Sequence, residues 1–275
     1  MADKLGVTPE EIRFVGGDTA VLASGGGTHS DRSMRMAGAL MVEASGKIVA
    51  QAKRVAAVLL GAPEDAVGFD DGLLATPTSN RRLSLFDVAL AVQDDASLPD
   101  DLRTPLASEC AFTGRIPAYP TGSVGCELEI DPDTGAIDIR RYLSIDDAGQ
   151  AINPMILHGQ AHGGIAQGIG QALMERIAYA PDTGQVLSGS FMDYGIPRAH
   201  MLPLFDVALT EDPTQGNALR VKGGGESGIT PALAVVMNAV MDALSPYGVE
   251  HFDMPATAER VWQAMREAPP RPGPL

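Results

Sequence analysis

"VGCELEIDPDTGAIDI", residues 124–139, decides the fold class. Val124, Cys126, Leu128 and Ile130 alternate with small or charged residues, the two-residue period of a strand with one buried face. "DPDTG" at 131–135 gathers residues that turn a chain back, and Ile137, Ile139, Leu143 and Ile145 set apolar positions along a second strand. The stretch therefore reads as an antiparallel hairpin. Downstream, Asn153–Pro154 supplies a helix cap and a first-turn proline, opening a helix expected to run to about Tyr179. Phe205, Val207 and Leu209 mark a further strand. Thr230–Pro231 repeats the capping signal before a helix expected to end near Leu244, and a last helix starting near Thr257 carries the only tryptophan, Trp262.

Upstream, Ile12 to Val15 reads as a short strand, followed by a glycine- and hydroxyl-rich loop. Ala37, Met41, Ala44, Ile48, Ala52, Val55 and Leu59 recur at spacings of three and four, which predicts a long amphipathic helix. Residues 61–80 read as a loop containing a short strand, and helical structure resumes at about Leu83. The stretch 94–122, rich in Pro and Asp, reads as a connection between subdomains. Helices and strands are mixed and the strands pair through hairpins. The expected fold class is α+β, with mixed or antiparallel sheets and packed helices, rather than a doubly wound parallel sheet. Two subdomains are expected: an N-terminal α/β part over 1–100 and a C-terminal α+β part over 101–275.

The 275 residues are 45% hydrophobic and 20% charged, enough for a real core and far from a disordered composition. A formal net charge of −15 argues against nucleic-acid binding, which leaves a basic footprint. The two cysteines, Cys110 and Cys126, form no CxxC, so these residues do not supply an iron–sulfur or Cys-type zinc framework. Two thiols, no apolar signal core at the start and no apolar run read as a membrane span give a cytoplasmic expectation, with the periplasm open if a partner carries the export signal.

Three stretches carry candidate chemistry. "VKGGGESG", 221–228, places Glu226 after three glycines and ahead of a helix. Such backbone brings a carboxylate close to a ligand, where it can take a proton; equally, the acid can satisfy loop amides while the glycines make a tight turn. The helix "NPMILHGQAHGGIAQGIGQALMERI", 153–177, contains five glycines, each costing about 1 kcal/mol against alanine in a helix interior. Either another helix packs very closely there, or backbone amides and Gln167 reach a heterocyclic ligand. His158 and His162 are four apart in that helix, but residue 159 is Gly, so HExxH is absent and no third zinc ligand is identifiable. "GGGTHSDRS", 25–33, precedes a long helix and resembles an anion-binding turn without being a Walker A loop.

In their order along the chain, "VGGDT", "GGGTHSDRS", "VGCELEIDPDTGAIDI", "DDAGQAINPMILHGQAHGGIAQGIGQALME", "GSFMDYGIPRA" and "VKGGGESG" resemble the molybdenum-binding subunit of the xanthine dehydrogenase and aldehyde oxidase family, nearest in flavour to bacterial carbon monoxide dehydrogenase and aldehyde oxidoreductase large chains. The resemblance implies hydroxylation of an aldehyde or an N-heterocycle with oxygen taken from water. It implies molybdopterin, in the cytosine dinucleotide form, with molybdenum held by the pterin dithiolene and not by side chains. Glu226 matches the glutamate of the KGxGE motif and would be the general base. Gln167 and the amides around Gly164 and Gly168 would touch the pterin, as would Gly224 and Gly225 beside the base. Gly27, Thr28, Ser30 and Ser33 would approach the phosphate or dinucleotide part. Lys222 would fix the loop.

The resemblance covers only the C-terminal portion of a much longer subunit. The upstream portion, with its GGGFG-type loop and QGQG-type segment, is expected on a second chain, unless this sequence is a fragment. 2Fe–2S clusters and FAD are expected on partner chains. The alternative is a pterin-binding or interaction module without turnover.

Overall fold

The structure, a computed structural model, describes residues 1–21 and 25–267. The described residues form two compact units: those within Met1–Ile116 together with Asn217–Leu219, and Pro117–Gly216 together with those from Arg220 onward.

The first unit opens with a one-turn helix α1 (Ala2–Leu5) and is built on α2 (Gly38–Leu60), entered through a π-helical turn at Ser33–Ala37. The expected helical stripe is real: Ala52, Val55 and Ala56 are fully buried. Gly61 ends α2 in the left-handed conformation at φ 63°, its N–H reaching back to the last turn, a position glycine fills without strain. A small antiparallel sheet follows, β1 (Gly68–Asp70), β2 (Leu73–Ala75) and β3 (Arg82–Ser84), and then α3 (Leu85–Asp94). Leu83 therefore belongs to a strand; the helix starts two residues later, where Ser84 and Asp87 form a reciprocal capping box. Leu74, Leu83, Leu85, Val88 and Val92 close on α2 as one core.

The expected strand at 12–15 does not form. Phe14 and Val15 are exposed and no neighbouring strand pairs with them, so their backbone has no ladder to join. The Pro- and Asp-rich stretch lies along α2: Gln51 Nε2 donates to the Thr104 and Pro105 carbonyls, and Ser108 Oγ donates to the Ala44 carbonyl at 3.1 Å. Those contacts carry the unit past residue 100 to Ile116, whose carbonyl accepts from Arg35.

In the second unit the hairpin stands as read, β4 (Thr121–Ile130) antiparallel to β5 (Ile137–Asp147), with a register irregularity at Glu127/Leu128. Gly135 in the turn has φ 72°, and a side chain there would run into Ala258 and Trp262. Next come α4 (Pro154–Leu173), β6 (Phe205–Thr210), α5 (Ile229–Leu244) and α6 (Ala258–Glu267). β6 pairs with β5 in parallel, so the sheet β4-β5-β6 is mixed. Ile139 and Tyr142 of the sheet pack on Ile165, Ile169 and Ala172 of α4 and on Ala232, Val236, Val240 and Leu244 of α5. The architecture is α+β.

Three details of this unit depart from expectation. α4 stops at Leu173 rather than near Tyr179, because the N–H groups of Met174 and Glu175 both turn to the Gly170 carbonyl and the returning chain docks there. Pro197 occupies the place of a Gly170 side chain, and the Tyr194 hydroxyl donates to Glu175 at 2.7 Å. Thr230 is not the cap of α5; the helix begins at Ile229 with Gly228 before it, since Gly228 abuts the Ala161 carbonyl where no side chain fits. Finally, Ile229–Tyr247 is, by length and composition, apolar enough to cross a membrane, which the sequence reading missed; here it supplies core residues from one face.

Candidate active site

The loop of Glu226 starts from a rigid root. β5 ends in Asp147, and past it Gly149 bridges Val221. Gly149 has φ 65°, and a Cβ on it would lie 2.7 Å from both the Arg220 carbonyl oxygen and the Lys222 nitrogen, so the close approach requires glycine. Lys222 N–H donates to the Ala148 carbonyl at 2.8 Å, and Gly223 N–H to the Ala118 carbonyl at 2.9 Å.

The Lys222 ammonium lies 2.5 Å from Asp147 Oδ2 and 3.2 Å from Asp212 Oδ2. The side chains of Lys222 and Asp147 are 13% and 10% exposed, whereas that of Asp212 is 88% exposed, so the first pair is the structural one. Burial pushes the Asp147 carboxyl up, but hydrogen bonds from Lys222 and from the N–H groups of Asp212 and Gly149 outweigh it and hold the pKa at about 2. The hydrogen bond to Asp147 raises Lys222 in turn.

Beyond the root the chain lies on the first half of α4. A side chain at Gly224 would strike Leu157, and one at Gly228 the Ala161 carbonyl. Ser227 Oγ donates to the Gly224 carbonyl at 3.4 Å. Between those two contacts Gly225 and Glu226 are exposed. The Glu226 carbonyl accepts from Thr230 N–H at 3.1 Å, joining the loop to the first turn of α5.

The glycines of α4 divide by face. Gly164 and Gly168 are buried against the start of α5: a Cβ on Gly164 would sit 2.8 Å from the Ile229 nitrogen, and one on Gly168 would collide with Ala232. Close helix packing accounts for both. Among the described residues, nothing lies within 4 Å of the place a side chain would take on Gly159 or Gly163. Gln167, one turn beyond Gly163, is exposed too, so 159, 163 and 167 make an open row. His162 sits against the Phe205 ring at 5.7 Å, and among the described residues no three His, Cys, Asp or Glu side chains gather as a metal site.

Beneath α4 the inner face of β5 carries polar groups that the sequence reading passed over. Asp146 is buried, accepts from Ser144 Oγ at 2.9 Å, and burial raises its pKa. Tyr142 is fully buried beside Phe205, its phenol is pushed up by burial, and its hydroxyl has no hydrogen-bond partner among the described residues. Asp147, Gly149 and Asp212 were likewise unread as loop anchors. The available signal was an acid two residues before a glycine at a strand end, with a lysine opening the glycine run.

In the first unit the loop 25–33 is bound up by its own arginines. Arg32 donates to the Gly26 carbonyl at 2.5 Å, and Arg35 donates to the carbonyls of Ser30 and Ile116, each at 2.6 Å. Thr28 and Ser33 hydroxyls pair. Gly27 at φ 70° and Ser30 and Asp31 at φ 52° and 54° are left-handed. Gly27, Thr28, Ser30 and Ser33 are exposed. Leu22, Ala23 and Ser24, in the upstream part of this loop, lie outside the described residues.

The profile of the molybdopterin cofactor-binding domain matches residues 1–203. The chain belongs to that family. It is 36% identical over 267 residues to the nicotine 6-hydroxylase large subunit of Paenarthrobacter nicotinovorans, covering 96% of this chain and 33% of that one. Among solved structures, CO dehydrogenase from Oligotropha carboxidovorans superposes with a TM-score of 0.84 at 32% identity, over 97% of this chain and 33% of that one. Quinoline 2-oxidoreductase from Pseudomonas putida 86 superposes at 0.78 and 30% identity, over 88% of this chain and 31% of that one. The chain spans about a third of the length of the curated relatives it matches.

Proposed function

We propose that this molybdopterin-binding chain forms part of the large subunit of a molybdenum hydroxylase, with Glu226 as general base. The observation that carries the reading is the placement of Glu226. It is an exposed acid in glycine backbone, rooted by Lys222 and Asp147 and laid along α4 at Leu157 and Ala161, and a second face of that helix leaves Gly159, Gly163 and Gln167 as an open row. The residues fit a flat heterocycle: a helix face without Cβ atoms permits close approach, and a carboxamide offers both donor and acceptor to a pterin edge.

When bound, the cofactor supplies the two-electron oxidising centre at which water-derived oxygen is delivered to a substrate carbon. This chain's residues do the rest. Glu226 accepts the proton of the attacking hydroxyl. Gln167 and the open backbone at Gly159 and Gly163 hold the pterin, and Gly225 keeps space beside the base. The substrate class is an aldehyde or an N-heterocycle, the latter favoured by the nicotine and quinoline named for two relatives. The remainder of the large subunit, with its GGGFG and QGQG segments, would cover exposed apolar residues such as Met155, Phe191, Met192 and Leu204, and iron–sulfur and flavin chains would take the electrons.

The test is Glu226→Gln in the complete complex. Molybdenum content should stay at the wild-type level while hydroxylation falls about 10²–10⁴-fold, the usual worth of a general base. Near-normal turnover overturns the assignment.

A further inference from the structure

We propose that Asp147 is the positioning residue for Glu226, a buried knot that fixes where the glycine arm begins. The proposal rests on the reading of Glu226 as base, but its anchoring half can be tested separately.

All four acceptor positions of the Asp147 carboxylate are taken. Oδ1 accepts from Gly149 N–H at 2.9 Å and Asp212 N–H at 3.0 Å. Oδ2 accepts from Lys222 Nζ at 2.5 Å and Thr121 Oγ1 at 3.2 Å. The donors come from four segments: the start of β4, the turn after β5, the strand-exit segment at 212, and the root of the glycine arm. A carboxylate so occupied has no capacity left for proton transfer with a substrate; it ties backbone together. Lys222 is also the last residue before Glu226 whose side chain holds anything, because 223–225 are glycines. Backbone continues the hold, with Gly223 N–H on the Ala118 carbonyl and Gly224 against Leu157, and past Glu226 the chain is fixed by Gly228 on Ala161. The position of Glu226 is thus set by the Asp147 knot at one end and the α4–α5 contact at the other. Without the Asp147 charge, Lys222 keeps only the exposed Asp212, a pairing that solvent weakens.

The experiment uses the complete complex with Asp147→Asn, Lys222→Met and Lys222→Arg, and Glu226→Gln alongside. Steady-state kinetics, molybdenum content and amide hydrogen exchange are read for each. Asp147→Asn should lower kcat about 10²-fold, the scale of a displacement of about 1 Å, with KM within about twofold and molybdenum retained. The Lys222 and Gly223 amides, bonded to Ala148 and Ala118, should exchange faster, while the centres of α4 and α5 stay at wild-type rates. Lys222→Met should match it, and Lys222→Arg should recover most of kcat. Unchanged kcat with unchanged exchange at 222 and 223 overturns the proposal. So does loss of molybdenum with faster exchange throughout α4 and α5, which makes Asp147 a residue of general stability. If Glu226→Gln stays active, the base reading fails, and exchange at 222 and 223 alone decides the anchoring.

Discussion

The two faces of α4 spend the same residue differently. Gly164 and Gly168 lose their side chains to α5, whose first turn presses backbone against backbone; Gly159 and Gly163, less than two turns away, face open space. Both pairs cost the helix about the same in propensity, about 1 kcal/mol per glycine. On the filled face that cost is offset within the chain, by packing that joins Ile165 and Ile169 to Ala232 and Val236. On the open face nothing among the described residues offsets it. That uncompensated penalty is what the proposed cofactor surface would account for.

The sharpest way to break this comparison is to put side chains on the filled face. Gly168→Val drives a branched group into Ala232 and toward the Ile229 carbonyl, which lies 3.2 Å from the Cβ position. Overpacking of this kind costs about 3 kcal/mol, well above any gain in helix propensity. Urea denaturation should show that loss, and a variant as stable as wild type would mean that α5 does not rest on α4 as described.

A somewhat smaller effect tests the loop that feeds the filled face. Asp147 has its folded pKa lowered to about 2, from an ordinary value of 3.8. A depressed carboxyl contributes stability that is fully present above the unfolded value and is lost as pH falls through the folded one. The window is therefore about pH 4 down to pH 2, and the contribution is about 2 kcal/mol. Unfolding of wild type and Asp147→Asn, compared at pH 5 and pH 2.5, should show a gap that narrows by most of that amount on acidification. A gap independent of pH would remove Asp147 as the charged anchor.

How much of this was legible follows from which interactions are local. The hairpin turn at 131–135, the Asn153 cap of α4, whose side chain accepts from Ile156 N–H, and the apolar stripe of α2 are written within a few residues of where they act. The end of α4 and the start of α5 were not, because each is set by a distant segment: Pro197 at Gly170, and Ala161 at Gly228. The isolated apolar run 12–15 had strand composition but no partner, and pairing is what makes a strand. At the site, Glu226 and the glycine helix stood out by composition, whereas the Asp147 knot needed four segments brought together and Gly159 could not be told from Gly164 by sequence. Glycine in a helix signals close approach; only the fold says which neighbour approaches.

The gentlest test comes from the open face. Gly159→Ala and Gly163→Ala place a methyl where nothing lies within 4 Å, so no contact is lost and the helix gains propensity. Each should stabilise the chain by up to about 1 kcal/mol, the opposite sign from the filled face. If the row is where a planar cofactor lies against backbone, that same methyl stands in its way, and molybdenum content of the complete complex should fall as stability rises. Stability and loading moving in opposite directions is an outcome that neither simple packing nor simple propensity produces. Were both substitutions to raise stability and leave loading untouched, the open face would be a plain solvent surface, and the cofactor would have to be held by other parts of the chain.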